Sequence, residues 1–163
     1  MTAPLRAFEQ TLATYKTPAE LGAAVHTLAQ ALVGSKLTTM TVFNHAKDYV
    51  RRVYSSNEAA YPVMGTKPMV RDAAFEAMQS ERKIYTANSV EVMRPDFPDI
   101  DKIVALGCGA AINMPVAVGG QLIGTLNLLE AEGRYDPVRL EAVPTLILPA
   151  SLAFLALRDA YAI

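Results

Sequence analysis

Leu106–Leu129 reads LGCGAAINMPVAVGGQLIGTLNLL, the longest apolar stretch of strand character in the chain. Gly119-Gly120 divides it. Two adjacent glycines supply the positive φ that both central positions of a tight hairpin between right-twisted strands demand. Folding at that pair predicts Val118 opposite Gln121, Val116 opposite Ile123, Met114 opposite Thr125 and Ile112 opposite Asn127. Neither arm alternates cleanly between apolar and polar residues, which predicts central strands covered on both faces. Asn113, Thr125 and Asn127 therefore stand out as candidate ligand contacts. Pro115 and Gly124 are expected on the face of Asn113, where an irregular pleat suits close approach of a ligand. The competing reading is that the three polar side chains satisfy neighbouring backbone.

The segment Asn113-Met-Pro-Val, a turn, then Leu122-Ile-Gly-Thr-Leu-Asn-Leu resembles the closing hairpin of GAF domains. There a Pro followed by a hydrophobic residue and a Gly-containing return strand are usual. The resemblance covers about residues 18–157 and implies an α+β fold for a single GAF-like domain spanning 1–163. It implies a central antiparallel sheet, N- and C-terminal helices packed behind it, and a pocket in front roofed by loops and short helices. It also implies binding of a small metabolite, as a stand-alone sensor or binding module in signalling. In GAF domains the short helix before the hairpin borders the pocket, which sets Asp99 toward a ligand's amine or hydroxyl.

A second reading also follows from the resemblance. GAF-type free methionine sulfoxide reductases show that the fold hosts cysteine chemistry. That would make this a small cysteine-dependent enzyme, or a hydrolase, with Cys108 as catalytic nucleophile and Lys67 or Asp99 assisting. Those reductases typically use more than one cysteine, and this chain has one. Photosensory GAF domains attach tetrapyrroles through a Cys-His pair, and no histidine adjoins Cys108. GAF domains that bind cyclic nucleotides usually come in tandem, and this chain has room for one. No cofactor and no metal is indicated.

Composition bounds the partners. A chain of 163 residues with net charge −1 and scattered basic residues makes no electrostatic case for nucleic acid. Apolar residues make up 52% and charged residues 19%, which predicts apolar surface buried against a partner. The N-terminus has no signal-peptide core, and two prolines break the apolar C-terminal segment, so no membrane span is expected. One cysteine fits a reducing, cytoplasmic location.

Elements are expected in the following order. Leu5, Phe8, Leu12 and Tyr15 predict a helix from about Pro4 to Lys16, and Thr17-Pro18-Ala19-Glu20 is a capping box opening a second helix that ends at Gly34. His26 has no second ligand at helical spacing, which argues against a metal role. Leu37–Phe43 and Tyr49–Ser55 read as a hairpin. Arg51 and Arg52 must point to opposite faces of the second strand, so at most one reaches a front pocket. Exposed strand arginines are common, and both fit that description.

Residues 56–68 form a loop of unusual length for a compact domain, and such loops tend to be functional. Tyr61 and Lys67 lie on it, an aromatic and a cation suited to an anionic or carboxylate ligand, unless they are a packed tyrosine and a surface lysine. A helix is expected over Pro68–Arg82, a short strand over Lys83–Thr86, an irregular stretch over Ala87–Phe97 and a short helix from Phe97 to Leu106. Asp99 in the first turn of that helix also complements the helix dipole. The pocket is expected between the Tyr61–Lys67 loop and the Asp99–Cys108 segment. Cys108, flanked by Gly107 and Gly109, is either an inert small hydrophobe or, with a cation beside it, a reactive thiol. Asp136 and Pro137 open a last helix that is apolar nearly all round and interrupted by Pro144 and Pro149. Such a helix needs cover on both sides, which predicts contact with the first helix or a homodimer through the terminal helices.

Overall fold

The computed structural model describes residues 2–63 and 65–161. One antiparallel sheet carries six strands in the order β3-β2-β1-β6-β5-β4. They are β1 (Leu37–Asn44), β2 (Tyr49–Ser55), β3 (Lys67–Pro68), β4 (Tyr85–Ala87), β5 (Ala110–Val118) and β6 (Gln121–Glu130). Behind the sheet lie α1 (Ala3–Thr14), α2 (Pro18–Leu32) and α7 (Ile147–Ala160), which bury Phe8, Leu21, Leu28, Phe154 and Leu157 against Met40, Val42, Met114 and Leu126. In front lie α3 (Ala73–Glu81), α4 (Val90–Met93) and α5 (Ile100–Ala105), while α6 (Pro137–Ala142) leads into the last helix. The α+β architecture is the expected one.

The β5–β6 turn falls at Gly119 and Gly120, both at positive φ (60° and 79°). Val118 opposes Gln121, but the register then shifts between Val116 and Ala117. Ala117 opposes Leu122 and Val116 opposes Gly124, so Ile123 is an extra residue, a β-bulge. Beyond it Met114 opposes Leu126 and Asn113 opposes Asn127, one residue out of the expected pairing. This corrects the place of Gly124 too. Pro115 faces Thr125, whereas Gly124 lies with Val116 on the helix side. A Cβ there would collide with the Phe154 ring and the Thr41 carbonyl oxygen, so the glycine makes room for a core aromatic and not for a ligand.

A second bulge sits in β2. Met40 opposes Tyr54 and Thr41 opposes Arg52, which leaves Val53 as the extra residue. Val53 and Tyr54 both turn toward the helices, Val53 into the core and Tyr54 over Gly22 of α2. Arg52 is thereby sent to the front, and Arg51 stacks behind on Tyr161, 4.6 Å from its ring centre.

Caps explain the helix boundaries. Thr17 accepts from the Glu20 N–H (3.3 Å), and the Glu20 carboxylate accepts from the Lys16 N–H (2.9 Å), which stops α1 short of Lys16. The third helix starts at Ala73 and not at Pro68, because Asp72 caps it by accepting from the Phe75 N–H (2.9 Å) and Lys67–Pro68 pair with β2. The stretch expected to be irregular contains α4, capped by Ser89, and the following helix occupies only Ile100–Ala105. Asp136 caps α6. Pro144 falls in a 3-10 turn over Val143–Leu146, and Pro149 in the first turn of α7, where a missing N–H costs nothing.

The run Pro137–Ala160 is long and apolar enough to cross a membrane by composition, yet Val143, Leu146, Ala150, Phe154 and Leu157 seat it in the core behind the sheet. Its outer row, Ile147, Leu148, Leu152 and Leu155, is 38–68% exposed. The first helix packs on α2 and leaves that row uncovered.

Gly124→Ala tests the close approach of Phe154. Forcing a methyl group against backbone and a packed ring should cost about 1–3 kcal/mol, read as a lower urea midpoint with an unchanged slope. Gly133→Ala is not a suitable control, since its positive φ (77°) adds backbone strain of its own.

Candidate ligand-binding site

Directly opposed residues in antiparallel strands share a face. The register therefore lays one row across the front of four strands: Tyr85 of β4, Asn113 of β5, Asn127 of β6 and Thr39 of β1. Asn127 donates from Nδ2 to Thr39 Oγ1 (3.2 Å). The Asn113 side chain has no hydrogen-bond partner among the described residues. Asn113, Asn127 and Thr39 of this row floor a cavity of about 250 Å³ whose walls include Leu37, Ile103, Leu129, Phe97, Arg52, Tyr61 and Asp99.

The roof is tied together at Tyr61. Its hydroxyl donates to Asp99 Oδ2 (2.7 Å), joining the long loop to the start of α5. Asp99 makes no capping bond to its own helix, so its carboxylate is committed to the cavity wall and not to the helix end. Arg52 lies over the Tyr61 ring at 5.1 Å and the Lys102 ammonium at 4.4 Å, while Lys102 also donates to the Ala60 carbonyl. Burial first, then the hydrogen bond and negative charge of Asp99, push the Tyr61 phenol well above its ordinary pKa, against a smaller pull downward from Arg52.

No family model matches the sequence, and no curated protein matches it. Solved structures do. The GAF domain of an Acinetobacter phosphoenolpyruvate-protein phosphotransferase superposes with a TM-score of 0.69 at 9% identity, covering 98% of this chain and 97% of that one. The GAF domain of a two-component sensor histidine kinase from Bacillus halodurans gives 0.65 at 10% identity, with 86% and 95% covered. A GAF domain/HD domain protein from Geobacter sulfurreducens gives 0.62 at 13% identity, with 83% and 90% covered. The chain has the GAF fold.

Within this GAF fold, Tyr61, Asp99, Asn113 and Asn127 come together on one cavity. Thr125 does not line it. It is buried one row along the same face, between Thr41 and Pro115. Lys67 lines a smaller neighbouring cavity of about 150 Å³ with Thr41, Val50, Gly65 and Arg52. Cys108 sits one layer behind the wall, 4% exposed, among Leu37, Met93, Ile103 and Leu129. Lys67 does not approach it: four strand spacings separate β3 from β5, roughly 19 Å at ~4.8 Å each. Burial raises the Cys108 pKa and outweighs the downward pull of the Lys36 ammonium, with the Glu130 carboxylate adding to the rise.

Sequence reasoning missed Arg52, Thr39 and Phe97. Alternation allowed one arginine of the pair to face front, and the bulge at Val53 decides which.

Two measurements check this geometry. In Asp99→Asn, Tyr61 should titrate at lower pH than in the wild type yet still above about 10, because burial remains; tyrosine ring-carbon NMR reads it. Because the folded phenol's pKa is raised, its contribution to stability is complete below pH ~10 and lost as pH rises beyond it. Cys108 should resist iodoacetamide at neutral pH until the protein is denatured, at a rate that Lys67→Ala leaves unchanged.

Proposed function

We propose that this chain binds a small polar metabolite in the front cavity and acts as a cytoplasmic sensor or binding module. One observation carries the reading. Side chains from four strands, one helix and two loops converge on a cavity of about 250 Å³, and the Asn113 amide on its floor has no partner among the described residues. Thr39, Arg52, Tyr61, Asp99, Asn113 and Asn127 line it beside the apolar Leu37, Phe97, Ile103 and Leu129, a concave site with convergent polar groups that suits a polar small molecule. Related folds occur in a sensor histidine kinase and a phosphotransferase, which supports a signalling role for a bound ligand. The exposed row on α7 supports a second copy of the chain as the partner that receives the signal.

Native mass spectrometry of freshly purified protein should show a retained small molecule on a dimer. Asn113→Leu should lose the molecule and keep the fold. A protein that carries nothing, and gains no thermal stability from polar metabolites, would show the cavity to be packing space only. A monomer at tens of micromolar would remove the second copy from the reading.

A further inference from the structure

We propose that Arg52 and Lys67 form an anion subsite, so that the ligand of the front cavity carries a carboxylate or phosphoryl group held between them. This rests on the metabolite reading above and names the ligand's charge. Arg52 lines two adjoining cavities, the polar one over Asn113 and Asn127 and the smaller one that Lys67, Thr41 and Gly65 enclose. The smaller cavity has two cations in its wall and no acidic side chain. Neither cation is paired: the ion pairs among the described residues are Arg71–Asp48 and Arg94–Asp101. Among the described residues Arg52 gives one hydrogen bond, from Nη1 to the Pro62 carbonyl (3.3 Å), and its buried Nε has no partner.

Arg51 and Arg158 also bury an unpartnered Nε; what sets Arg52 apart is that it borders a cavity walled by a second cation and no carboxylate, and an anion there would meet both. The planar fork of Arg52 suits two oxygens of a carboxylate or phosphoryl group, with the Lys67 ammonium adding a point charge and the Thr41 hydroxyl a further donor. Asp99, across the larger cavity, makes no ion pair with Arg52 and stands where a hydroxyl or amine on the same ligand would meet it. The bulge at Val53 is what aims Arg52 here, and bulges commonly re-aim a side chain beside a site.

The test is NMR titration with inorganic phosphate and, separately, acetate at constant ionic strength, following the Arg52 Nε–H and the Lys67 amide. Saturable shifts are expected with at least one anion. Arg52→Gln should weaken binding about tenfold or more and Lys67→Gln several-fold, as charge-assisted bonds imply, while Arg51→Gln on the opposite face leaves it unchanged. Saturation with phosphate alone assigns a phosphoryl ligand; saturation with both admits a carboxylate. Shifts that grow linearly with both anions, or that persist in Lys67→Gln and in the double variant, would overturn the subsite. Lys67 is exposed, so its variant will fold. Asn113→Leu separates the two ideas: it should abolish metabolite retention and leave phosphate binding intact. A chain that binds phosphate but retains no metabolite fails the earlier reading and not this one.

Discussion

Side-chain direction along a strand has period two, so one inserted residue exchanges the faces of everything beyond it. The front of this sheet depends on two such insertions. Without the extra residue at Ile123, Asn127 would lie with Ile112 against the helices. Without the one at Val53, Arg52 would point there as well. Burying an amide without a partner costs about 1–3 kcal/mol, and leaving Val53 on the front would take an apolar side chain out of the rear core, about 1.5–3 kcal/mol. A bulge gives up about one ladder hydrogen bond, roughly 0.5–1.5 kcal/mol. The comparison favours the bulges, and Ile123 and Val53, both apolar, take the helix side at no loss.

The cavity is a consequence of that parity. Once Asn113, Asn127 and Thr39 share the front face, an apolar roof laid directly on them would strand their polar atoms. The chain instead holds its roof off the row by a strut, Tyr61 bonded to Asp99 and flanked by Arg52 and Lys102. Apolar packing continues on either side. Leu37, Ile103 and Leu129 join the cluster that contains Cys108, while Phe43, Phe75 and Leu122 form a separate cluster under α3.

What the sequence reveals and what it hides divide along the same line. Features written in single residues were legible: the Gly119-Gly120 turn, the Thr17 and Asp136 caps, and the proline breaks in the last helix all act through local backbone chemistry. The bulges were not, because Ile123 and Val53 are ordinary strand residues and their extra count shows only against a partner strand. The extra residue at Ile123 moved Gly124 to the other face, and the one at Val53 hid Arg52. Asp72 lost to Pro68 as a helix start for a related reason, since pairing of Lys67–Pro68 with β2 is a long-range contact that propensity does not see. The grouping of Tyr61 with Asp99 was legible only through a resemblance of fold, and Lys67 and Cys108 show its limit: both fall in the right segments, on opposite sides of the sheet's width.

The sheet is one residue thick between the cavity and α7. Asn127 and Thr125 face the front from β6, and Gly124 and Leu126 of the same strand face Phe154 and the helices. Close-packed interiors yield little, and Phe154 is seated on the strand that carries Asn127, against Gly124. A ligand shifts an equilibrium only by its differential affinity for two arrangements. Any such difference passed through β6 would meet the Gly124–Phe154 contact first, and the outer face of the helix carrying Phe154 is the exposed row Leu148, Leu152 and Leu155. Cavity and surface row are joined through a single strand and a single aromatic side chain.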